Sequence, residues 1–382
     1  MQYSVIRNKF LEIFSKDPLL ISAPGRINLI GEHTDYNEGF VLPAAIDKTA
    51  VFALAANKIK KYRFYAFDLN LYFETETIQP VSGEYHWANY LLGVLDQFTK
   101  AGITTTGIDC VFGSTIPVGA GLSSSAAIEC GFAFGLNQLF ESGFDKYQLV
   151  RMAQKAEHKY AGVMCGIMDQ YASVFGKKDH VFRLDCRSNQ HEYFSFKMEK
   201  YVIALVDTKV KHELASSAYN ERREQCDEGV SILKQFDLSI NSLRDVNQSF
   251  IQLHKTALHP VTFKRCHYVI KENERVNQAC NSLEKNDLSE FGSFMYSSHE
   301  GLRYEYEVSC RELDILVELT KDLDFVYGSR MMGGGFGGCT INLLKKERKH
   351  EFGQLISERY TAKTGIIPNI HFVAINDGVS FL

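Results

Sequence analysis

The sequence has little that would support a metal or disulfide framework. Its nine cysteines lie far apart, their number is odd, and no C-x-x-C pair occurs. A structural zinc site needs closely spaced thiols, and a disulfide scaffold needs an even set of cysteines. The pattern argues against both, and reduced thiols predict a cytoplasmic location.

Long basic runs and long apolar runs are also missing. The chain carries 42 Lys and Arg against 46 Asp and Glu, a net charge of −4, so a surface that follows a nucleic-acid backbone is not expected. No stretch approaches the roughly 20 apolar residues of a membrane-spanning helix, and the charged N-terminal segment differs from a signal peptide. We therefore expect a monomer that binds small molecules, without a nucleic-acid or membrane partner.

What the chain does have is ample material for two hydrophobic cores. Its 382 residues are 45% hydrophobic and 23% charged, a balance typical of globular proteins, and the length suits two domains. We predict an N-terminal domain over residues 1–190 and a C-terminal domain over residues 191–382, with a cleft between them. No obvious linker marks this boundary.

Local patterns predict a mixture of helices and strands in both halves. Hydrophobic periodicity predicts helices over 1–15, 88–98, 126–140, 146–160 and 217–236, and further long helices up to Leu319. Alternation and short apolar runs predict strands over 19–23, 108–112, 201–206, 340–344 and 370–374, and a hairpin over 50–76 that turns near Asn57.

The first motif is APGRINLIGEHTDYN, over residues 23–37, directly after a predicted strand. Glu32, His33 and Asp35 place donors and acceptors close together, as is needed to bind the vicinal hydroxyls of a sugar. The alternative is a surface turn whose carboxylates are simply solvated.

The second motif is PVGAGLSSSAA, over residues 117–127, a loop without bulky side chains that leads into a predicted helix. Glycines allow the backbone to approach a phosphate, the helix N-terminus supplies free N–H groups, and hydroxyls can bind phosphate oxygen or Mg²⁺. No G-K-[ST] follows, so this is not a Walker A loop. The alternative is that Ser123 or Ser124 only caps the helix.

The third motif is GGGFGGC, over residues 333–339, between a predicted helical stretch and a strand. So many glycines cost conformational entropy and indicate that the backbone comes close to another group. A tight hairpin or a bulge is the alternative.

A fourth element places Asp169 three residues after Gly166, near the start of a short predicted helix. The helix dipole there favours an ionised carboxylate. Glu157 lies twelve residues earlier, at the edge of the apolar face of its own predicted helix. Taken alone, Asp169 is explained as well by a helix cap.

In their order along residues 23–339, the three glycine-containing motifs resemble the signature motifs of the GHMP kinases. The first motif is similar to that of the family's galactose-phosphorylating members, and residues 208–226 resemble their segment with a sugar-contacting tyrosine, here Tyr219. The resemblance implies an α+β fold of two domains, the first ribosomal-protein-S5-like and the second ferredoxin-like, with the active site in the cleft between them.

The resemblance also implies an activity, the ATP-dependent phosphorylation of the C1 hydroxyl of galactose. Asp169 would accept the proton of that hydroxyl, and Arg26 would stabilise charge on the transferring phosphoryl group. Galactose would be held by Glu32, His33, Thr34, Asp35, Gly166 and Tyr219. The nucleotide phosphates would be wrapped by Gly119, Ala120, Gly121, Leu122, Ser123, Ser124 and Ser125. Mg²⁺ would be bound by Ser125 and Glu157.

Two alternatives stay open on the sequence. Another sugar 1-kinase of the family would share the chemistry and act on N-acetylgalactosamine, arabinose or galacturonate. A non-catalytic sensor would bind galactose and ATP without turnover. The unaltered Glu-His-Thr-Asp-Tyr-Asn run favours galactose, and a sensor would not need Asp169.

Overall fold

A computed structural model describes residues 3–117, 121–210 and 215–382. The strands are β1 (Leu19–Asn28), β2 (Phe40–Val41), β3 (Pro43–Asn57), β4 (Tyr62–Ala66), β5 (Leu71–Thr75), β6 (Gly107–Ser114), β7 (His180–Asp185), β8 (Gln190–Ser195), β9 (Tyr201–Asp207), β10 (Val326–Met331), β11 (Cys339–Lys345), β12 (Asn369–Val373) and β13 (Ser380–Phe381). The helices are α1 (Tyr3–Phe14), α2 (Asn89–Lys100), α3 (Ser124–Leu139), α4 (Lys146–Ala156), α5 (Met168–Phe175), α6 (Ala215–Leu233), α7 (Gln248–Leu253), α8 (Pro260–Glu284), α9 (Leu288–Tyr304), α10 (Arg311–Glu318) and α11 (Lys349–Thr364).

A six-stranded sheet in the order β13-β1-β3-β6-β4-β5 organises the N-terminal half. Alternate residues of its strands point to opposite faces. Phe52 and Leu54 of β3 therefore join the main apolar cluster, whereas Val51 and Ala53 pack against α1. The sheet is covered on both faces.

Helix α3 packs tightly on this sheet because it has glycines at the contact. Gly135 lies so close to β3 that an added Cβ would come within 2.2 Å of Leu54 Cδ1. Helix α5 is tied to β1 as well, since Ser173 Oγ donates to the Pro24 carbonyl at 2.8 Å. The N-terminal ends of both helices are thereby placed beside the end of β1.

The second large sheet has the order β10-β11-β9-β12. Ile203 and Leu205 of β9 face the main apolar cluster, while Val202 and Val206 pack with Phe352 and Ile356 of α11. Strands β2, β7 and β8 form a separate small sheet.

The two halves are joined by more than one connection. The C-terminal β13 pairs with β1, with Phe381 opposite Ile21, and the main apolar cluster includes residues from both halves, such as Phe132 and Phe291. The division at residue 190 stays a prediction.

Most predicted elements are present, and three predictions were wrong. The expected hairpin over 50–76 does not form, because β6 lies between β3 and β4; β4 instead pairs with β5. The first strand does not end at Ala23 but continues to Asn28. The third motif connects two strands, β10 and β11, rather than a helix and a strand. Local patterns do not reveal which strand will be inserted between two others.

Two smaller features bear on the predictions. The helix expected over 146–160 is α-helical only to Ala156 and ends in a π-helical turn over Glu157–Ala161.

Within the described ranges, no helix combines the length and apolar character needed to cross a membrane.

Candidate active site

A cleft with a cavity of about 320 Å³ brings the sequence motifs together. Its walls come from the end of β1, the turn after it, the loop before α3, the start of α5, α6, and the loop between β10 and β11. The predicted site residues that line it are Arg26, Glu32, His33, Asp35, Gly121, Leu122, Ser123, Ser124, Ser125, Glu157, Asp169 and Tyr219. Gly119 and Ala120 lie outside the described residues, so the structure shows nothing of their predicted role.

Arg26 and Asp169 form the charged centre of the cleft. Arg26 is buried on β1, and its Nε donates to Asp169 Oδ1 at 2.7 Å. The other carboxylate oxygen accepts a hydrogen bond from Ser123 Oγ. Burial lowers the pKa of Arg26, but the charges of Asp169, Glu32 and Asp35 and the hydrogen bond to Asp169 together raise the pKa above its ordinary value. Arg26 and Asp169 thus form an ion pair, and each oxygen of the Asp169 carboxylate accepts a hydrogen bond.

The N-terminus of α3 opens into the same cavity. Ser123 stands at the N-cap position with φ 52°, but its side chain bonds to Asp169 and makes no capping hydrogen bond. The alternative that Ser123 only caps the helix is therefore wrong. Arg26 holds the loop by donating from Nη1 to the Gly121 carbonyl. The first N–H groups of a helix have no intrahelical partner, and Ser123, Ser124 and Ser125 at this helix start line the cavity, as suits an anion.

Ser125 and Glu157 place two oxygen-bearing side chains in the same cavity. Ser125 Oγ donates to Glu157 Oε1 at 2.7 Å, and Gln170 Nε2 donates to Glu157 Oε2 at 2.5 Å. Burial raises the pKa of Glu157, although the Ser125 hydrogen bond counteracts it.

Mg²⁺ prefers oxygen ligands and usually keeps several waters, being bound by one or two side chains together with substrate phosphates. The described residues hold no cluster of three or more His, Cys, Asp or Glu side chains that could bind a metal on their own. Ser125 and Glu157 fit a hydrated Mg²⁺ that reaches the protein with a nucleotide.

Glu32 is buried and points at the glycine loop of the third motif. Its Oε1 accepts from Arg330 Nη2 at 3.0 Å and from the Gly333 amide at 2.8 Å. Arg330, on β10, is fully buried and also donates to the carbonyls of Asn28 and Leu29. Sequence reasoning missed Arg330; the one available signal was a lone arginine beside the glycine-rich motif.

Asp35 lies against Gly166, where an added Cβ would fall 1.9 Å from Asp35 Oδ2. Burial raises the pKa of Asp35 to about 7, and the negative charge of Asp169 adds to this shift. Gly166 therefore shapes the pocket by having no side chain, although it does not itself line the cavity.

The rings of His33 and Tyr219 both line the cavity and contact each other, with centroids 5.2 Å apart. Tyr219 also lies against Gly334, whose Cβ would come 3.4 Å from its ring. Thr34 differs from these residues. It is fully buried outside the cavity lining, with Oγ1 2.8 Å from the Gly31 carbonyl and 2.6 Å from the Phe40 carbonyl. Its position suits stabilisation of the turn.

Known protein families match this chain over segments that contain several of these site residues. The chain matches the N-terminal domain of GHMP kinases over residues 89–177, the galactokinase galactose-binding signature over 8–56, and the C-terminal GHMP kinase domain over 279–359. It is 39% identical to a galactokinase of Thermotoga maritima over 94% of this chain and 99% of that protein. It is also 39% identical to a galactokinase of Clostridium acetobutylicum over 98% of each.

Solved structures support the same family assignment. The crystal structure of Lactococcus lactis galactokinase complexed with galactose superposes with a TM-score of 0.95 at 32% identity, covering all of both chains. A mevalonate kinase at 18% identity and a TM-score of 0.65 shares the fold alone. The predicted α+β, two-domain GHMP kinase fold is thus confirmed. The chain belongs to the galactokinases, a branch of the GHMP kinase family.

Proposed function

We propose that the cleft transfers the γ-phosphoryl group of ATP to the C1 hydroxyl of α-D-galactose, giving galactose 1-phosphate and ADP. A bond forms between the C1 oxygen and the γ-phosphorus, the bond from that phosphorus to the β,γ-bridging oxygen breaks, and the hydroxyl proton passes to Asp169. The observation that carries this proposal is the group formed by Arg26, Asp169 and Ser123 at the N-terminus of α3.

Phosphoryl transfer depends mainly on position and on the neutralisation of charge. Arg26 supplies a fixed positive charge beside the proton acceptor. A carboxylate is a weak base, but in a loose transition state the attacking oxygen need not lose its proton early. We therefore expect late proton transfer to Asp169.

The remaining roles are assigned to residues that line or support the cleft. Glu32, His33, Asp35 and Tyr219 would hold galactose, with Gly166 making room for Asp35, while Thr34 would support the turn that carries them. The loop over 119–125 would hold the nucleotide phosphates.

Ser125 and Glu157 would bind Mg²⁺, which neutralises charge on the phosphate oxygens. This assignment is supported because Ser125 and Glu157 both line the cavity beside the N-terminus of α3.

We further propose that the protein acts as a cytoplasmic monomer. All nine cysteines are described and unpaired, which suits a reducing compartment. The residues assigned to the reaction come from one chain, so a second copy is not needed to complete the cleft. Light scattering of the purified protein tests whether it is a monomer.

The test of the proposed activity is ATP-dependent release of ADP on a panel of galactose, N-acetylgalactosamine, arabinose, galacturonate and glucose, with Mg²⁺. Preference for galactose, lost in Asp169→Ala, is the expected result. Preference for another sugar of the panel would move the substrate within the family. Binding of galactose and ATP without turnover would favour the sensor instead.

A further inference from the structure

A chain of hydrogen bonds runs from the cleft into the helical core behind it. His33 Nδ1 lies 2.7 Å from Tyr36 Oη, which lies 2.7 Å from Tyr306 Oη, which lies 3.3 Å from Cys226 Sγ. On its other side, His33 Nε2 lies 3.2 Å from the Gly334 carbonyl oxygen. The chain thus joins the sugar motif, α6, the segment after α9 and the glycine loop.

The contact with the Gly334 carbonyl shows where the hydrogen of His33 lies. A carbonyl oxygen can only accept, so Nε2 must carry a hydrogen. Burial lowers the pKa of His33 to about 3, and the charges of Arg222 and Arg330 add to this effect against the hydrogen bond to Gly334. The ring is therefore neutral at physiological pH, has a single N–H, and exposes a lone pair on Nδ1.

The direction of the other hydrogen bonds follows. Nδ1 can only accept, so Tyr36 donates its hydroxyl hydrogen to His33. Tyr36 must then accept from Tyr306, which accepts from the Cys226 thiol. Burial raises the pKa of Tyr36 and of Tyr306 well above the ordinary value, so both remain hydroxyls that can donate.

Packing holds the ring in the orientation that this network requires. Tyr306 and Tyr219 approach His33 with centroid separations of 4.9 Å and 5.2 Å, and Tyr36 meets it edge-on at 5.8 Å. The backbone of His33 has φ 62°, a conformation that non-glycine residues adopt at a cost and that often occurs at functional sites.

We propose that Tyr36 and Tyr306 are positioning residues that fix His33 with its hydrogen on Nε2, the nitrogen beside the glycine loop of the cleft. This inference rests on the proposed function, because its consequence is seen in galactose binding. A sugar hydroxyl that reaches Nε2 can then share this donor hydrogen with the Gly334 carbonyl. In the other tautomer Nε2 would be an acceptor beside the Gly334 carbonyl, and that donor would be lost.

The experiment is nitrogen NMR of ¹⁵N-histidine-labelled full-length protein, with the His33 signal assigned by its loss in His33→Gln. The wild type is expected to show a neutral ring with hydrogen on Nε2. Tyr36→Phe removes the donor to Nδ1 and should give a mixture of tautomers. Tyr306→Phe should give a smaller change, since Tyr36 can still donate.

Steady-state kinetics give the second readout. Loss of a single hydrogen bond predicts a KM for galactose about two- to tenfold higher in Tyr36→Phe and, less so, in Tyr306→Phe, with the KM for ATP unchanged. Tyr360→Phe is the matched control, because it removes the hydroxyl of another buried tyrosine, one that donates to the Thr208 carbonyl at 3.0 Å.

Hydrogen on Nδ1 in the wild type would overturn the proposal, even if both variants failed to fold. So would a KM for galactose in Tyr36→Phe and Tyr306→Phe equal to that of Tyr360→Phe. Failure of the proposed function would look different, since the wild type would release no ADP with galactose while its tautomer could still be measured.

Discussion

Arg26 and Asp169 are 143 residues apart in the chain, yet Arg26 Nε donates to Asp169 Oδ1 at 2.7 Å. Arg26 is on β1 and Asp169 is the second residue of α5, whose Ser173 is bonded to the backbone of β1. The strand and the helix therefore set the geometry of the ion pair. Both side chains are thus positioned by the fold itself.

Asp169→Asn should abolish most turnover while it preserves the shape of the cleft. An amide cannot take up the hydroxyl proton, and general base catalysis contributes about 10²- to 10⁴-fold to a rate, so kcat should fall by about that factor. Calorimetry should show galactose and ATP binding within a few-fold of the wild type. Asp17→Asn, at an exposed position, is the control. Near-normal turnover of Asp169→Asn would rule out the assigned role.

Glu157→Gln should raise the concentration of Mg²⁺ needed for activity. The amide keeps a partner for Ser125 but removes the negative charge that would attract the cation, and changes around a metal site typically cost about 10- to 100-fold in affinity. Initial rates measured over a range of free Mg²⁺ test this, and excess Mg²⁺ should restore much of the rate. An unchanged Mg²⁺ dependence would place the metal elsewhere.

The pKa of Asp35, raised to about 7, predicts a pH-dependent stability. Between the ordinary value of 3.8 and about 7, the folded protein keeps a proton on Asp35 that the unfolded chain has released. The free energy of unfolding should therefore fall as the pH rises through this range. Urea unfolding at several pH values should show a smaller fall in Asp35→Asn. Asp322→Asn, at an exposed side chain, should behave like the wild type; a slope unchanged in Asp35→Asn would refute the prediction.

Gly166→Ala should weaken galactose binding by displacing Asp35, because the new Cβ would fall 1.9 Å from Asp35 Oδ2. The KM for galactose should rise, and the KM for ATP should change little. Gly353→Ala in α11 is the control, since its Cβ would meet no atom within 4 Å. An alanine there should be neutral or stabilising by up to about 1 kcal/mol. Equal KM values in the two variants would contradict the role of Gly166.

The sequence predicted the polar residues that line the cleft better than the residues that hold those side chains in place. Glu32, His33 and Asp35 stand out because adjacent polar groups in one short motif need partners. Arg330 could not be assigned in the same way, since arginines are usually exposed and its partners are about 300 residues away along the chain. The false hairpin at Asn57 has a similar cause, because sheet order depends on long-range packing that local alternation does not record.

The fully buried pair of Arg330 and Glu32 should matter most for stability. Arg330→Met would leave the Glu32 carboxylate buried, with the Gly333 amide as its remaining hydrogen-bond partner among the described residues. Removing one member of a buried ion pair typically costs about 3–5 kcal/mol in the free energy of unfolding. Urea unfolding of Arg330→Met, Glu32→Gln and the double variant measures the coupling between the two side chains.

The double variant should be more stable than the sum of the two single changes predicts, because the second change removes the charge that the first leaves uncompensated. The exposed pair of Arg348 and Glu351, with Nε to Oε2 at 2.5 Å, provides the comparison, and its coupling should lie at about 0–1 kcal/mol. Strict additivity at Arg330 and Glu32 would show that each side chain acts through other contacts. The glycine loop would then have to be held by Glu32 alone.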